Sequence, residues 1–324
     1  MRAILIGVLS AFFFTFTFVL NRAMDLEGGN WIWSASLRYF FMVPFLLAIV
    51  WYRGNLAPLL REMRTYPREW LLWSFVGFGL FYAPLCFAAA YGPGWLIAGT
   101  WQITIIAGSL LVPFFYREEM SEAGPRLVRQ QIPVKGLMMS LVILAGVALM
   151  QVEHAGNLTW KEMVLGLLPV LLAAFAYPLG NRKMMELTKG RIDAYQRLLG
   201  MTLASMPFWL LLALIGLLTD GAPGWSQTGQ SLVVAISSGV IATALFFHAT
   251  DLARGNVQQL AAVEATQSAE VVFAVFLEML VLSAAMPSAV SFAGIVTVMA
   301  GMILHSYVSR LDAGAKKKES SVSA

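Results

Sequence analysis

Ten stretches of this chain stay apolar for about as long as a helix needs to cross a lipid bilayer, roughly 20 residues. They are Ala3–Leu20, Trp31–Tyr52, Trp70–Tyr91, Trp95–Tyr116, Lys135–Gln151, Met163–Gly180, Ala194–Leu218, Ser231–Thr250, Val257–Leu282 and Ser288–Tyr307, numbered spans 1 to 10. No other feature restricts the fold as much. Hydrocarbon offers peptide N–H and C=O groups no partner, so each crossing has to be helical. Only Gly92-Pro93-Gly94 divides spans 3 and 4, but the combined run is far too long for one crossing and counts twice either way. Composition agrees: 59% of the 324 residues are hydrophobic and 12% charged, against about 25% charged in a soluble domain. The expected fold is an all-α integral membrane protein of ten transmembrane helices.

Charge placement orients the chain. The loop after span 2 carries Arg53, Arg61, Arg64 and Arg68, and that after span 4 carries Arg117, Arg126 and Arg129. Arg182, Lys183, Lys189 and Arg191 follow span 6, with Arg197 just beyond; Arg254 follows span 8; Arg310 and Lys316 to Lys318 lie in the tail. The alternate loops hold only Arg22 and Lys161. By the positive-inside rule both termini are cytoplasmic and the protein is a multi-pass protein of the cell membrane. The same bias explains the net charge of +4, so no nucleic-acid partner is needed. The lysine tail, 310–324, reads as solvated and disordered. Span 1 has no small-residue cleavage site at Leu20-Asn21-Arg22 and reads as a retained helix rather than a signal peptide.

The two halves of the chain echo one another about 160 residues apart. Phe14 to Met24 (FTFTFVLNRAM) matches Ala174 to Met184 (AFAYPLGNRKM), placing Asn21-Arg22 on Asn181-Arg182. Val43-Pro44-Phe45 answers Met206-Pro207-Phe208, Gly79 answers Gly239, Thr100-Trp101-Gln102 answers Ala265-Thr266-Gln267, and Ala145-Gly146 answers Ala300-Gly301. The expected organisation is a five-helix repeat over 1–152, a second over 160–309, and the tail. An odd number of crossings per repeat inverts the second copy, an arrangement that puts substrate near mid-membrane between the halves.

On these residues the chain resembles the drug/metabolite transporter superfamily, and within it the multidrug-resistance efflux branch. Asn21-Arg22, the run Tyr91-Gly92-Pro93-Gly94-Trp95 leading into Ala98-Gly99-Thr100-Trp101-Gln102, and Ala261-Ala262-Val263-Glu264-Ala265-Thr266-Gln267 carry the likeness, which extends from Met1 to about Ser309. It implies secondary export of small organic molecules, commonly coupled to protons. The small four-helix relatives place an essential glutamate in their first helix; span 1 here has none, so the proton site must lie elsewhere.

Span 9 supplies the candidates. A carboxylate near the bilayer centre costs about 2.5 kcal/mol or more and normally faces a partner or a watery cavity. Glu264, Gln267 and Glu270 recur every third residue and so form a slanted polar stripe. Glu270 lies near the middle of the helix, and Glu264 about 9 Å nearer the cytoplasm at ~1.5 Å per residue. Both are candidate proton-coupling groups, with a structural hydrogen bond or ion pair as the alternative for each. Glu278 reads as interfacial. Arg38 in span 2 is either a counter-ion or substrate ligand, or a structural or snorkelling cation. Tyr82, Trp101, Gln102 and Gln267 complete a candidate substrate pocket, since aromatic walls beside a carboxylate suit lipophilic cations; Trp33 is a further candidate wall. Trp31, Trp51, Trp70 and Trp160 sit where interfacial belts belong. Pro44, Pro84, Pro178 and Pro207 are expected kinks.

Other classes find less support. Phosphate-loop, HExxH and Gly-x-Ser-x-Gly signatures are absent, so primary energy coupling and intramembrane hydrolysis have no motif behind them. The single Cys86 and the scattered His154, His248 and His305 make no metal cluster, and neither cofactor nor metal is expected. A channel or scramblase would fit the duplication but has no use for coupling acids. Within transport the reading favours lipophilic or cationic drugs. Export of an amino acid or other metabolite is the alternative that Arg38 supports. Protons, the small-molecule substrate and the bilayer are the expected partners; the oligomeric state, monomer or homodimer, stays open.

Overall fold

The computed structural model describes residues 2–92, 94–121, 124–152, 159–281 and 286–322. Among these, nine helices are long and apolar enough to cross a membrane. They are α1 (Arg2–Leu26), α2 (Trp31–Tyr52), α3 (Pro67–Tyr91), α4 (Leu96–Phe114), α6 (Met163–Thr188), α7 (Ala194–Thr219), α8 (Trp225–Leu252), α9 (Val257–Leu277) and α10 (Ala289–Val308). A shorter apolar helix, α5 (Val134–Met150), stands between α4 and α6. The protein is thus a multi-pass, almost entirely helical membrane protein. Pro93, His154 and the side chains of Trp95, Arg117 and Glu278 lie outside the described residues, as do the basic side chains of the tail.

Two expectations are corrected. The chain is not wholly helical: Tyr116–Ser121 and Gly124–Arg129 pair as an antiparallel hairpin, Tyr116 opposite Arg129. This loop is polar, and outside lipid a backbone can satisfy itself across two strands. Secondly, α6 runs to Thr188, so Arg182 and Lys183 are helical residues rather than loop residues, and Arg182 is buried. The helix of α10 itself runs on to Val322, through alanine, lysine and glutamate, which are strong helix formers.

Helices meet where side chains are smallest. In lipid there is little hydrophobic drive between helices, and association relies on close van der Waals contact. Gly180 of α6 lies directly on the backbone of Gly77 in α3. Gly146 of α5 meets the backbone of Gly294 and Val298 in α10, and Gly301 meets Ile143. α2 packs along α7 and α5 along α10, while α1 lies against α8 and α9, and α6 against α3 and α4. One buried cluster joins α1–α3 with α6–α8, and another joins α4, α5, α9 and α10.

Four helices depart from α geometry. α3 and α8 contain π segments at Phe75–Gly79 and Ala235–Ala242. α4 breaks at Gln102 and Ile103, and α9 tightens to a 3-10 turn at Thr266–Ser268. Pro44, Pro84, Pro178 and Pro207, the expected kinks, lie inside helices that run on through them. Of the expected belt tryptophans, Trp51 and Trp160 are exposed, but Trp70 is buried against Gly200 and Leu59.

The arginine-rich end is tied by ion pairs. Arg53 reaches Asp193 at 3.1 Å, Arg191 clasps Glu62, and Asp251 takes Arg197 at 2.6 Å and Arg254 at 2.8 Å. The Glu62 carboxylate pushes the Arg191 guanidinium above its usual range by accepting its hydrogen bonds.

Candidate functional site

The interruptions in α4 and α9 divide each helix into two halves with different neighbours, and Trp101 and Gln267 beside them line one cavity. On the half of α9 after the turn, Glu270 is 2% exposed. Trp101, on the half of α4 before its break, donates its indole N–H to Glu270 Oε2 at 3.1 Å. On the other halves, Glu264 lies against Gly108, where a Cβ would collide with its carboxylate. A helix turn of 3-10 geometry rises more per residue than α and shifts the register of the residues beyond it. The two acids therefore serve different surroundings although they share one helix.

Glu264 is fully engaged. Arg182 of α6 donates Nη2 to Oε2 at 2.7 Å and Nε to Oε1 at 2.9 Å, both partners being buried. A bidentate fork of this kind is among the stronger charge-assisted contacts, and it satisfies both carboxylate oxygens. The geometry around Glu264 is that of a buried ion pair.

Glu270 is only half engaged. Its Oε1 has no hydrogen-bond partner, and the residue lines, with Arg38, Trp101, Gln267 and Tyr177, a cavity of about 10 Å³. That is close to the least room a single water needs. Arg38, also 2% exposed, stacks its guanidinium on the Tyr82 ring at 4.1 Å and reaches Thr17 Oγ1 at 3.5 Å. Arg38 and Glu270 thus line the same cavity. Arg38 Nε, Gln267 Nε2 and Tyr177 Oη are likewise buried without partners. Four unsatisfied polar groups around one void are unusual, since buried polar groups are almost always bonded. All four belong to residues that line this one cavity.

The structure brings together Glu270, Arg38, Trp101 and Gln267, with Tyr82 one layer behind. Gln102 lies apart: its amide donates to Ala98 O at 3.3 Å within its own helix. Trp33 donates to Gly221 O at 2.9 Å, away from the cavity. His248 is exposed. Tyr177, Thr17, Phe14 and Phe81 were missed by reading the sequence, yet a signal existed: aligning Asn21-Arg22 on Asn181-Arg182 places Thr17 on Tyr177, and both line the cavity. Arg182 was missed because it looked like a loop charge.

A helical bundle of many apolar spans, with a small cavity lined by aromatic residues and by Arg38, Gln267 and Glu270, defines the class: a multi-pass membrane protein. Residues 1–311 match a family model described as "EmrE: Putative multidrug resistance efflux transporter", and the chain belongs to that family, within the drug/metabolite transporter superfamily. It is 58% identical over 324 residues, all of both chains, to the "Uncharacterized protein YjlA" of Bacillus subtilis (strain 168). It is 53% identical over 270 residues, 83% of this chain and 70% of the other, to an "Uncharacterized 42.1 kDa protein in intracellular alkaline protease 3'region" of Shouchella clausii. A crystal structure of another protein superposes with a TM-score of 0.71 at 17% identity, covering 95% of this chain and 97% of its own, a likeness of fold alone.

Proposed function

We propose that the protein is a secondary active transporter that exports small organic molecules, lipophilic or cationic, across the cell membrane by proton antiport. The observation that carries this reading is the buried carboxylate oxygen of Glu270 that has no partner, on a residue lining a cavity with Trp101, Phe81 and Tyr177. A carboxyl group so placed can hold a proton or a cationic centre but not both, and that exclusivity is what an antiporter requires. Drug-sized pockets are about 300 Å³ or more; the cavity here is far smaller, so an organic substrate requires the walls to move apart. Alternating access supplies that movement.

An inverted 5+5 repeat, 1–152 against 160–309, would provide the moving parts. Its support is the correspondence of packing and of irregularities. α2 with α7 and α5 with α10 are matched pairs, and α1 against α8 and α9 mirrors α6 against α3 and α4. The π segments of α3 and α8 fall at Gly79 and Gly239, and the breaks of α4 and α9 at Gln102 and Gln267, the positions paired by sequence. The arginine bias of the loops after α2, α4, α6 and α8 supports cytoplasmic termini.

Arg38 supports a second reading, a zwitterionic metabolite held between Arg38 and Glu270. Thermal-shift measurements on the purified protein with lipophilic cations and with amino acids separate the two; stabilisation by zwitterions alone would overturn the drug reading. For coupling, a cationic substrate added to proteoliposomes under a pH gradient should move protons. Glu270→Gln should abolish that movement, and transport with unchanged pH dependence in this variant would refute the proton role.

A further inference from the structure

A second small cavity, again about 10 Å³, lies between α1, α2 and α3 toward the end opposite the arginine-rich loops. Its wall carries Asn21, Asp25, Trp31, Ser34 and Cys86. All three helices serve both cavities at a spacing of one turn, about 5.4 Å. Thr17 and Asn21 do so on α1, Arg38 and Ser34 on α2, and Leu85 and Ala89 on α3. The two cavities are therefore stacked along the bundle with a single layer of side chains between them.

That layer is Arg38, Tyr82 and Asn21. The Arg38 guanidinium, which lines the central cavity, lies on the Tyr82 ring at 4.1 Å. Asn21, which lines the other cavity, donates its amide to Tyr82 Oη at 3.3 Å and lies 3.9 Å from Cys86 Sγ. Toward the arginine-rich end the blockage is heavier. There the Arg182–Glu264 fork and the bond from Thr104 Oγ1 to Ala174 O at 3.1 Å tie α6 to α9 and α4.

We propose that Arg38, Tyr82 and Asn21 form the outer gate of the transporter, and that the cavity beyond them, once the helices part, is an exit vestibule for small organic cations. This rests on the exporter reading and adds the release route. Asp25 and the Trp31 ring give the vestibule wall a carboxylate and an aromatic face, the pair that suits a cation. The fixed charge of Arg38 at the seam repels protons and cations while the gate is shut, as an arginine does in selective pores. Tyr82 is the hinge of the layer, because it holds Arg38 by its face and Asn21 by its hydroxyl.

Cys86 is the sole cysteine of the chain, and its buried Sγ at the vestibule wall lies 3.9 Å from the amide of Asn21, so thiol labelling reports when that gate residue moves away. Intact cells producing the protein are treated with cationic or anionic membrane-impermeant methanethiosulfonates of similar size, and label is counted on the purified protein, with Cys86→Ser as the blank. The native protein should label slowly. Tyr82→Phe and Asn21→Ala should each label about fivefold faster, as the loss of one buried hydrogen bond would shift an opening equilibrium. The cationic reagent should outpace the anionic one, and Asp25→Asn should remove that preference. Unchanged rates in both gate variants, with native unfolding temperatures, would overturn the gate, as would faster labelling from the cytoplasmic face in inverted vesicles. A preference indifferent to Asp25→Asn would overturn the cationic class. Labelling needs no transport: normal gate behaviour without substrate-driven proton movement defeats the exporter reading alone, and the converse defeats the gate alone.

Discussion

Glu264 and Glu270 are one residue type on one helix, yet their surroundings bond them to different degrees. Arg182 saturates Glu264 from both oxygens, whereas Trp101 saturates only one oxygen of Glu270. Removing one member of a buried pair costs about 3–5 kcal/mol, because a bare charge stays behind, whereas replacing both with apolar groups is often close to neutral. Arg182→Met should therefore lower the thermal stability of the detergent-solubilised protein sharply, and Arg182→Met combined with Glu264→Met should recover most of it. A double variant no more stable than the single one would show that Arg182 has a further partner. Glu270→Gln should leave stability nearly unchanged, since the amide keeps an oxygen for Trp101, while abolishing proton movement. The stripe of Glu264, Gln267 and Glu270 was legible in the sequence. Which acid was free was not, since that depends on an arginine 82 positions away in the chain.

Among the elements, α3, α4, α6, α8 and α9 carry the irregular geometry and the closest contacts. Gly180 rests on the Gly77 backbone, which cannot yield as a flexible side chain would. Overpacking of this kind costs about 1–3 kcal/mol, so Gly180→Ala should lower the unfolding temperature. Gly229, exposed in the first half of α8 with open space where a Cβ would stand, is the control. Gly229→Ala gains helix propensity, up to about 1 kcal/mol, and should be neutral or stabilising. Equal losses at both sites would mean that the α3–α6 contact is looser than its geometry. Most helix boundaries were legible, because the apolar runs end where charge and glycine begin. The extension of α6 past Gly180 was not: Asn181, Arg182 and Lys183 look like the start of a loop until Arg182 and Asn181 find buried partners in Glu264 and Thr250.

At the scale of the whole molecule, each half is completed by the other. α2 needs α7, α5 needs α10, and α1 and α6 each pack mainly on helices of the opposite half. Residues 1–152 and 160–324 expressed as separate chains should co-purify and unfold as one, and neither should be monodisperse alone. A stable, cooperatively unfolding half on its own would contradict this interdependence. The sequence by itself determined the membrane class, the helix count to within one short helix, and the polar stripe of α9. It could do so because lipid forces every backbone group to be satisfied within its own segment, and that demand leaves its mark in local apolar length. The tertiary structure decided which charges are paired, which polar atoms stay free, and where two small cavities lie. Those outcomes depend on side chains far apart in the chain meeting across helices, which no local pattern records.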